Sequence, residues 1–212
     1  MEELYNTSDF GAVAQLGERR VRNAQVVSSN LIGSSMKNIK AKRIAIMVDQ
    51  QYQELEVWYP FYRFKEAGHV VDLVAPEAET TYHSKLGYPC ISTVSAKDAK
   101  DLEYDAIVIP GGWCPDFMRR DESMVRFVQK YAETKTILAA ICHGGWMLCC
   151  TNVLKGKKAT SFMAIEHDMR NAGADWVDQE CVVDGNVITA RKPDDLPAFC
   201  LAILQSLSKN NS

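Results

Sequence analysis

The chain has 212 residues, 47% hydrophobic and 24% charged, the balance of a soluble globular domain with a full core. Its formal net charge of -3 gives nucleic acid no electrostatic reason to be a stable partner. No apolar run approaches the roughly 20 residues of a membrane-spanning helix. Seven cysteines without repeated spacing read as reduced thiols of a cytoplasmic protein rather than a disulfide framework.

Residues 1–35 are rich in Asn, Ser, Gly, Gln and Arg and lack apolar periodicity. They have no signal-peptide core, and Glu2, Glu3, Asp9 and Glu18 argue against a transit peptide. Residues 11–35 resemble the peptide obtained when a transfer-RNA gene is translated. The expectation is a mistranslated segment or disordered extension over 1–35, with Met36 as the start and one domain over 36–212.

From Lys42 the pattern is orderly. Residues 43–48 read as a buried strand and 54–67 as a helix with Pro60 in or near its first turn and Gly68 as its stop. Residues 69–75 read as a second strand and 82–94 as a short extended or hairpin region. A third buried strand, 105–110, is closed by Gly111 and Gly112, and a helix follows over about 123–133. Next come a strand over 136–141, a helix over 143–150, short strands at 158–161, 181–183 and 187–190, and helices near 164–172 and 194–207. Strands alternating with helices, several strands apolar throughout, predict an α/β three-layer sandwich: a mostly parallel central sheet with helices on both faces.

Sites in such sheets lie at the carboxyl ends of strands. Three loops leave such ends here, after Val48, Pro110 and Ile141, and they carry the polar residues. The first holds Asp49 to Glu56, the second Gly111 to Asp116, the third Cys142 and His143. Cys142 falls at the corner between an apolar strand and a helix-forming stretch. Helix-terminal amides and the helix dipole favour negative charge there, so the thiol is expected to ionise more easily than a free one. His69 and His167 read as surface residues without chemistry, and His83 as a weak candidate. Cys114 reads as a small hydrophobe rather than a second reactive thiol. No nucleotide-cofactor fingerprint and no metal-ligand spacing is visible, so neither cofactor nor metal is expected.

The chain resembles the PfpI/ThiJ family, in its intracellular cysteine protease-like branch. The resemblance is carried by Glu54 to Pro60 (ELEVWYP), Lys65 to His69 (KEAGH), Ile109 to Gly112 (IPGG) and Ala140 to Gly144 (AICHG). Later matches are 153–158, 168–173, 176–178 and 183–186, so the likeness runs from Arg43 to the last helix. It implies a flavodoxin-like, glutamine-amidotransferase-like fold with a nucleophile elbow.

The resemblance assigns Cys142 as nucleophile, His143 as general base and Glu56 as a buried carboxyl against the sulfur, protonated because two adjacent anions are costly. Gly112 and His143 match the backbone donors of an oxyanion hole. Asp116 falls where relatives carry an acid that completes a Cys-His-acid triad across a subunit interface, here one methylene shorter than the Glu of some relatives. The competing readings are a solvated helix carboxyl for Glu56, a packed surface histidine for His143, a plain tight turn at Gly112 and a solvated loop residue for Asp116. Trp113 and Trp146 depart from the family pattern, as stacking surfaces at the site or as packing at a subunit contact.

The implied function is a cysteine-dependent hydrolase of the PfpI type: an intracellular peptidase, or a deglycase or glyoxalase acting in stress protection on glyoxal or methylglyoxal and their early adducts on proteins and nucleotides. Substrates would be small carbonyl adducts or peptides, and the protein a homo-oligomer, from dimer to hexamer. The alternative is a redox sensor or stress chaperone that uses an oxidisable Cys142.

Overall fold

The computed structural model describes residues 41–209. The expected segment 1–35 lies outside them. Seven strands form the central sheet: β1 (Arg43–Met47), β2 (Val70–Ala75), β5 (Val94–Ser95), β6 (Ala106–Ile109), β7 (Ile137–Ile141), β10 (Cys181–Asp184) and β11 (Val187–Ala190). Their order is β10-β11-β7-β6-β1-β2-β5. All neighbours pair parallel except β10 and β11, an antiparallel hairpin at the edge. β6 and β7 are buried at every residue, as strands covered on both faces must be.

β3 (Thr81–His83) and β4 (Pro89–Ile91) make the expected hairpin, outside the main sheet. β8 (Lys158–Ala159) also stands outside it and pairs parallel with β9 (Asp175–Trp176). The strand expected over 158–161 is thus present as β8, while β9, two residues long, is too short for periodicity to show.

Helix α1 (Glu54–Glu66) starts at Gln53, whose side chain accepts the Glu56 N–H at 3.0 Å. Pro60 sits in its second turn rather than its first and brings no N–H for the Glu56 carbonyl four residues back. The inward face of α1 is Glu56, Val57, Pro60 and Phe64, so the carboxyl of Glu56 is carried into the core by the same helical spacing that buries the apolar residues. Short helices α2 (Ala96–Ala99) and α3 (Cys114–Met118) were not anticipated. α4 (Glu122–Ala132) is capped by Asp121, which accepts from the Ser123 and Met124 amides. α5 (Gly145–Leu148) and α6 (Glu166–Asn171) each follow a 3-10 turn, Cys142–Gly144 and Met163–Ile165. α7 (Leu196–Lys209) buries Leu196, Phe199, Cys200, Ile203 and Leu207, a helical stripe.

α1 packs on α7, while α2 and α5 both pack on α4, so the helices fall into two groups around the sheet. The three strands whose loops carry the polar residues, β7, β6 and β1, are consecutive in the sheet. From β1 the chain first builds outward through β2 and β5, and then returns to the other side of β1 with β6. The loops after β1 and β6 therefore part at a switch point, which opens a crevice at their carboxyl ends.

Candidate active site

Cys142 occupies the corner between β7 and the 3-10 turn, with φ +60°. That region is costly for a residue with a Cβ, by about 1–2 kcal/mol. The strand and the turn together hold it there, and the sulfur leaves the line of the ladder. Cys142 is 9% exposed. The backbone N–H groups of Gly112 and His143 lie close enough to its sulfur to favour the thiolate. The His143 ring lies beside it, Nδ1 at 3.4 Å from Sγ.

Glu56 is fully buried, and its Oε2 accepts the Gly111 N–H at 2.6 Å. Its side chain also meets the Cys142 thiol, while Oε1 has no partner among the described residues. Burial pushes the carboxyl up to about 7 against the Gly111 N–H, the Cys142 contact and the Lys85 charge, which oppose the shift. A charged carboxylate with an oxygen left unbonded is a poor occupant of such a place, whereas a protonated one has a hydrogen to give.

Gly111 explains how the groups come so close. A Cβ on it would stand 2.7 Å from the Cys142 Cβ, 2.8 Å from Glu56 Oε2 and 2.8 Å from the His143 nitrogen. Any side chain here would drive thiol, carboxyl and amide apart. Gly112 adopts φ +72°, which turns its amide toward the sulfur and lets the strand end abut the loop at Gln51 and Tyr52.

The expected easy ionisation of Cys142 is corrected by its surroundings. Burial, and then the Glu56 charge, push the thiol up to about 12, opposed by the His143 and Gly112 amides. The helix behind it is only four residues after a 3-10 turn, so its dipole is weak. Sulfur and carboxyl therefore titrate as a pair rather than singly.

His143 is half-buried in an aromatic frame. Phe162 stacks on it at 5.0 Å, Trp146 meets it edge-on at 5.1 Å and Trp113 is tilted at 5.6 Å. Burial, and then the Lys85 charge, lower its pKa, so the ring is neutral near pH 7 and free to accept a proton. Both departures from the family pattern, Trp113 and Trp146, thus lie against the candidate base.

Asp116 is not joined to this cluster within the chain: it sits on α3 in an ion pair with Arg120. Cys114 is fully buried with its Sγ donating to the Gly111 carbonyl at 3.3 Å, as a small core residue does. His69, expected on the surface, is buried, and its Nδ1 accepts from Lys42 N at 3.3 Å. His83 and His167 are exposed. Asp49 was missed. It is 6% exposed at the end of β1, and burial raises its carboxyl to about 6. An acid directly after an apolar strand in the switch-point loop was the available signal. No group of three or more potential metal ligands occurs among the described residues.

An α/β sandwich with a cysteine at a strained strand-to-turn corner, amides and a carboxyl converging on its sulfur, defines a class of cysteine-centred proteins. Residues 42–206 match the DJ-1/PfpI family model, and the chain belongs to that family. It is 40% identical over 157 residues to a deglycase of Pyrococcus abyssi, covering 74% of this chain and 94% of the relative. It is 38% identical over 170 residues to general stress protein 18 of Bacillus subtilis, covering 79% and 99%. A crystal structure of a two-domain protein with a DJ-1/ThiJ/PfpI-like domain from Anabaena variabilis superposes with a TM-score of 0.76 at 42% identity, covering 79% of this chain and 48% of that one.

Proposed function

We propose that this protein is a cysteine-dependent deglycase of early methylglyoxal and glyoxal adducts. The observation that carries the reading is the convergence on one sulfur of two backbone amides, a neutral imidazole and a buried carboxyl whose affinity for its proton is raised to about pH 7. With its proton on Glu56, the carboxyl is a donor to the sulfur instead of a competing anion, and the amides hold the thiolate.

The chemistry balances without an external oxidant or reductant. Sγ displaces the amine from the carbinol carbon of R–NH–CH(OH)–CO–CH3, and the amine leaves with the proton given up by the Cys142 pair. The thiohemiacetal Cys–S–CH(OH)–CO–CH3 then loses its C–H proton to His143 and regains a proton on the neighbouring carbon, becoming the thioester of lactate. Water hydrolyses the thioester through an oxyanion held by the Gly112 and His143 amides. The net change is adduct plus water to free amine plus lactate.

Asp116 is assigned to orient His143 of a second copy in a homo-oligomer, a role its position on α3 leaves it free to take by releasing Arg120. All seven cysteines are unpaired, which supports a reducing, cytoplasmic setting.

The test is release of lactate from methylglyoxal adducts by the wild type and Cys142→Ser, alongside a fluorogenic peptide. Lactate release that vanishes in the variant is expected. Peptide cleavage without lactate would establish the peptidase instead, and stoichiometric peroxide oxidation of Cys142 without turnover of either would establish a sensor.

A further inference from the structure

Trp146 follows His143 by three residues across the turn into α5, the helical spacing that lays two side chains on one face. Their rings meet edge-on at 5.1 Å. Gly145 lies between them, and a Cβ on it would stand 2.7 Å from the Met169 sulfur and 3.2 Å from the Ile165 side chain. Without that Cβ, α5 lies close against α6. Trp146 then reaches Asp168, which accepts its Nε1–H at 3.1 Å. From α3 the Arg119 guanidinium covers the same indole, 4.9 Å from the ring centre. α3 thus touches the pair of rings from both of its ends, with Arg119 on Trp146 and Trp113 on His143.

The His143 ring depends on such walls. Among the described residues its one hydrogen-bonding contact is Nδ1 at 3.4 Å from the Cys142 sulfur. Asp116, assigned to orient it, acts from a second copy and is paired with Arg120 in its own chain. Within the chain the plane of the imidazole is therefore set by packing. Phe162 is placed by its backbone N–H, which donates to the Cys142 carbonyl at 3.2 Å, and Trp113 is more than half exposed. Trp146 is the wall whose own ring is held by polar groups, at its edge by Asp168 and on its face by Arg119.

We propose that Trp146 is a positioning residue: braced by Asp168 and Arg119, it fixes the His143 ring so that Nδ1 stays on the Cys142 sulfur before a substrate arrives. The inference rests on His143 as the base of the deglycase reading. A base that must be ordered in every turnover loses the benefit of a prepared site, and a misplacement of about 1 Å costs on the order of a hundredfold in rate. The Gly145-Trp146 pair, which departs from the family pattern, acts as one unit: the glycine brings α5 onto α6 and the indole uses the acceptor found there.

Kinetics on methylglyoxal adducts test the brace. Trp146→Ala is expected to lower kcat about thirtyfold with KM changed less than about threefold. Trp146→Phe keeps a ring and loses the N–H, and Asp168→Ala loses the acceptor. Each is expected to lower kcat about fivefold, and Asp168→Asn, still an acceptor, to restore most of the rate. The double variant Trp146→Phe/Asp168→Ala is expected to be no slower than either single one, because the same bond is lost once. A readout without turnover is the NMR titration of His143, assigned by its absence in His143→Gln. The ionisable groups about the ring are Cys142 and Glu56 on the sulfur side, Arg119 and Asp168 on the Trp146 side, and Lys85, whose charge adds to the effect of burial. Trp146→Ala opens the ring to solvent, so its pKa is expected to rise toward the ordinary histidine value, and Trp146→Phe to leave it lowered. Losses that add fully in the double variant, a loss carried by KM alone, or a His143 titration indifferent to Trp146→Ala overturn the proposal. A titration that follows Trp146 in a protein that releases no lactate sinks the deglycase reading and leaves the brace standing. Lactate release that no Trp146 or Asp168 variant slows does the reverse.

Discussion

Cys142 and Cys114 lie at the same edge of the sheet, both buried and both under the influence of Glu56, yet Cys142 has two backbone amides and an imidazole beside its sulfur, while Cys114 has one amide, that of Asp49. Cys142 is met by the amides of Gly112 and His143 and by a carboxyl that burial raises to about 7. Cys114 sits in a regular helix and gives its own proton to the Gly111 carbonyl, an acceptor that cannot take it away. Its thiol is pushed well above the ordinary range by complete burial and then by the Asp49 and Glu56 charges. Proximity to a carboxyl is common to both sulfurs; what sets Cys142 apart is the backbone corner at φ +60° and the imidazole beside it.

The largest effect should come from breaking the donor-rich side directly. Cys142→Ser is expected to lower lactate release at least about a thousandfold while circular dichroism and the melting curve remain those of a folded protein. Full activity in that variant would end the assignment of the nucleophile. Gly111→Ala comes next, because the added methyl has room only by separating Cys142, Glu56 and His143. Turnover should fall about a hundredfold, with a loss of about 2 kcal/mol in denaturant unfolding.

Glu56→Gln keeps an acceptor for the Gly111 N–H but removes the titrating proton. A fall of about a hundredfold in kcat is expected. The folded carboxyl is raised from 4.5 to about 7, so the folded chain binds this proton more tightly than the unfolded one. Its stabilising contribution is complete below pH 4.5 and is lost as the pH rises toward 7, a change on the order of 3 kcal/mol. Unfolding curves of the glutamine variant should lack that slope, and an unchanged slope would place the proton elsewhere. Asp116→Asn sharpens the comparison further by asking whether His143 needs a partner from outside the chain. About a tenfold fall in kcat, together with loss of wild-type activity on dilution, is expected. The smallest effect belongs to the acceptor-bound thiol. Cys114→Ser should change activity by less than about threefold and stability by about 1 kcal/mol, since a hydroxyl can keep the bond to the Gly111 carbonyl.

The cysteine at the strand end, helix α1 and the turn at Gly111 and Gly112 were readable because each is written in a window of a few residues. An apolar strand ending in Cys142 and a glycine pair after Ile109 need no distant partner to be recognised, whereas Glu56 came from the family resemblance. The long elements were readable for the same reason. Short ones were not: β5, β9, α2 and α3 are too brief for a period to show. The burial of His69 and Asp49 was also hidden, because it depends on segments far along the chain.

The sequence by itself determined an α/β sandwich with a cysteine at a strand-to-turn corner, and brought three polar loops to one edge of a parallel sheet. The tertiary structure alone decided what those loops do to each other. Solvent is excluded from Glu56 and Cys142 together, so the proton that a free thiol would lose is contested between sulfur and carboxyl. His143 is framed by three aromatic rings drawn from three separate segments, and Asp116 is turned away to Arg120. Strand and helix patterns are local properties of a chain, whereas desolvation and hydrogen-bond partnership are set by whatever the rest of the fold places alongside.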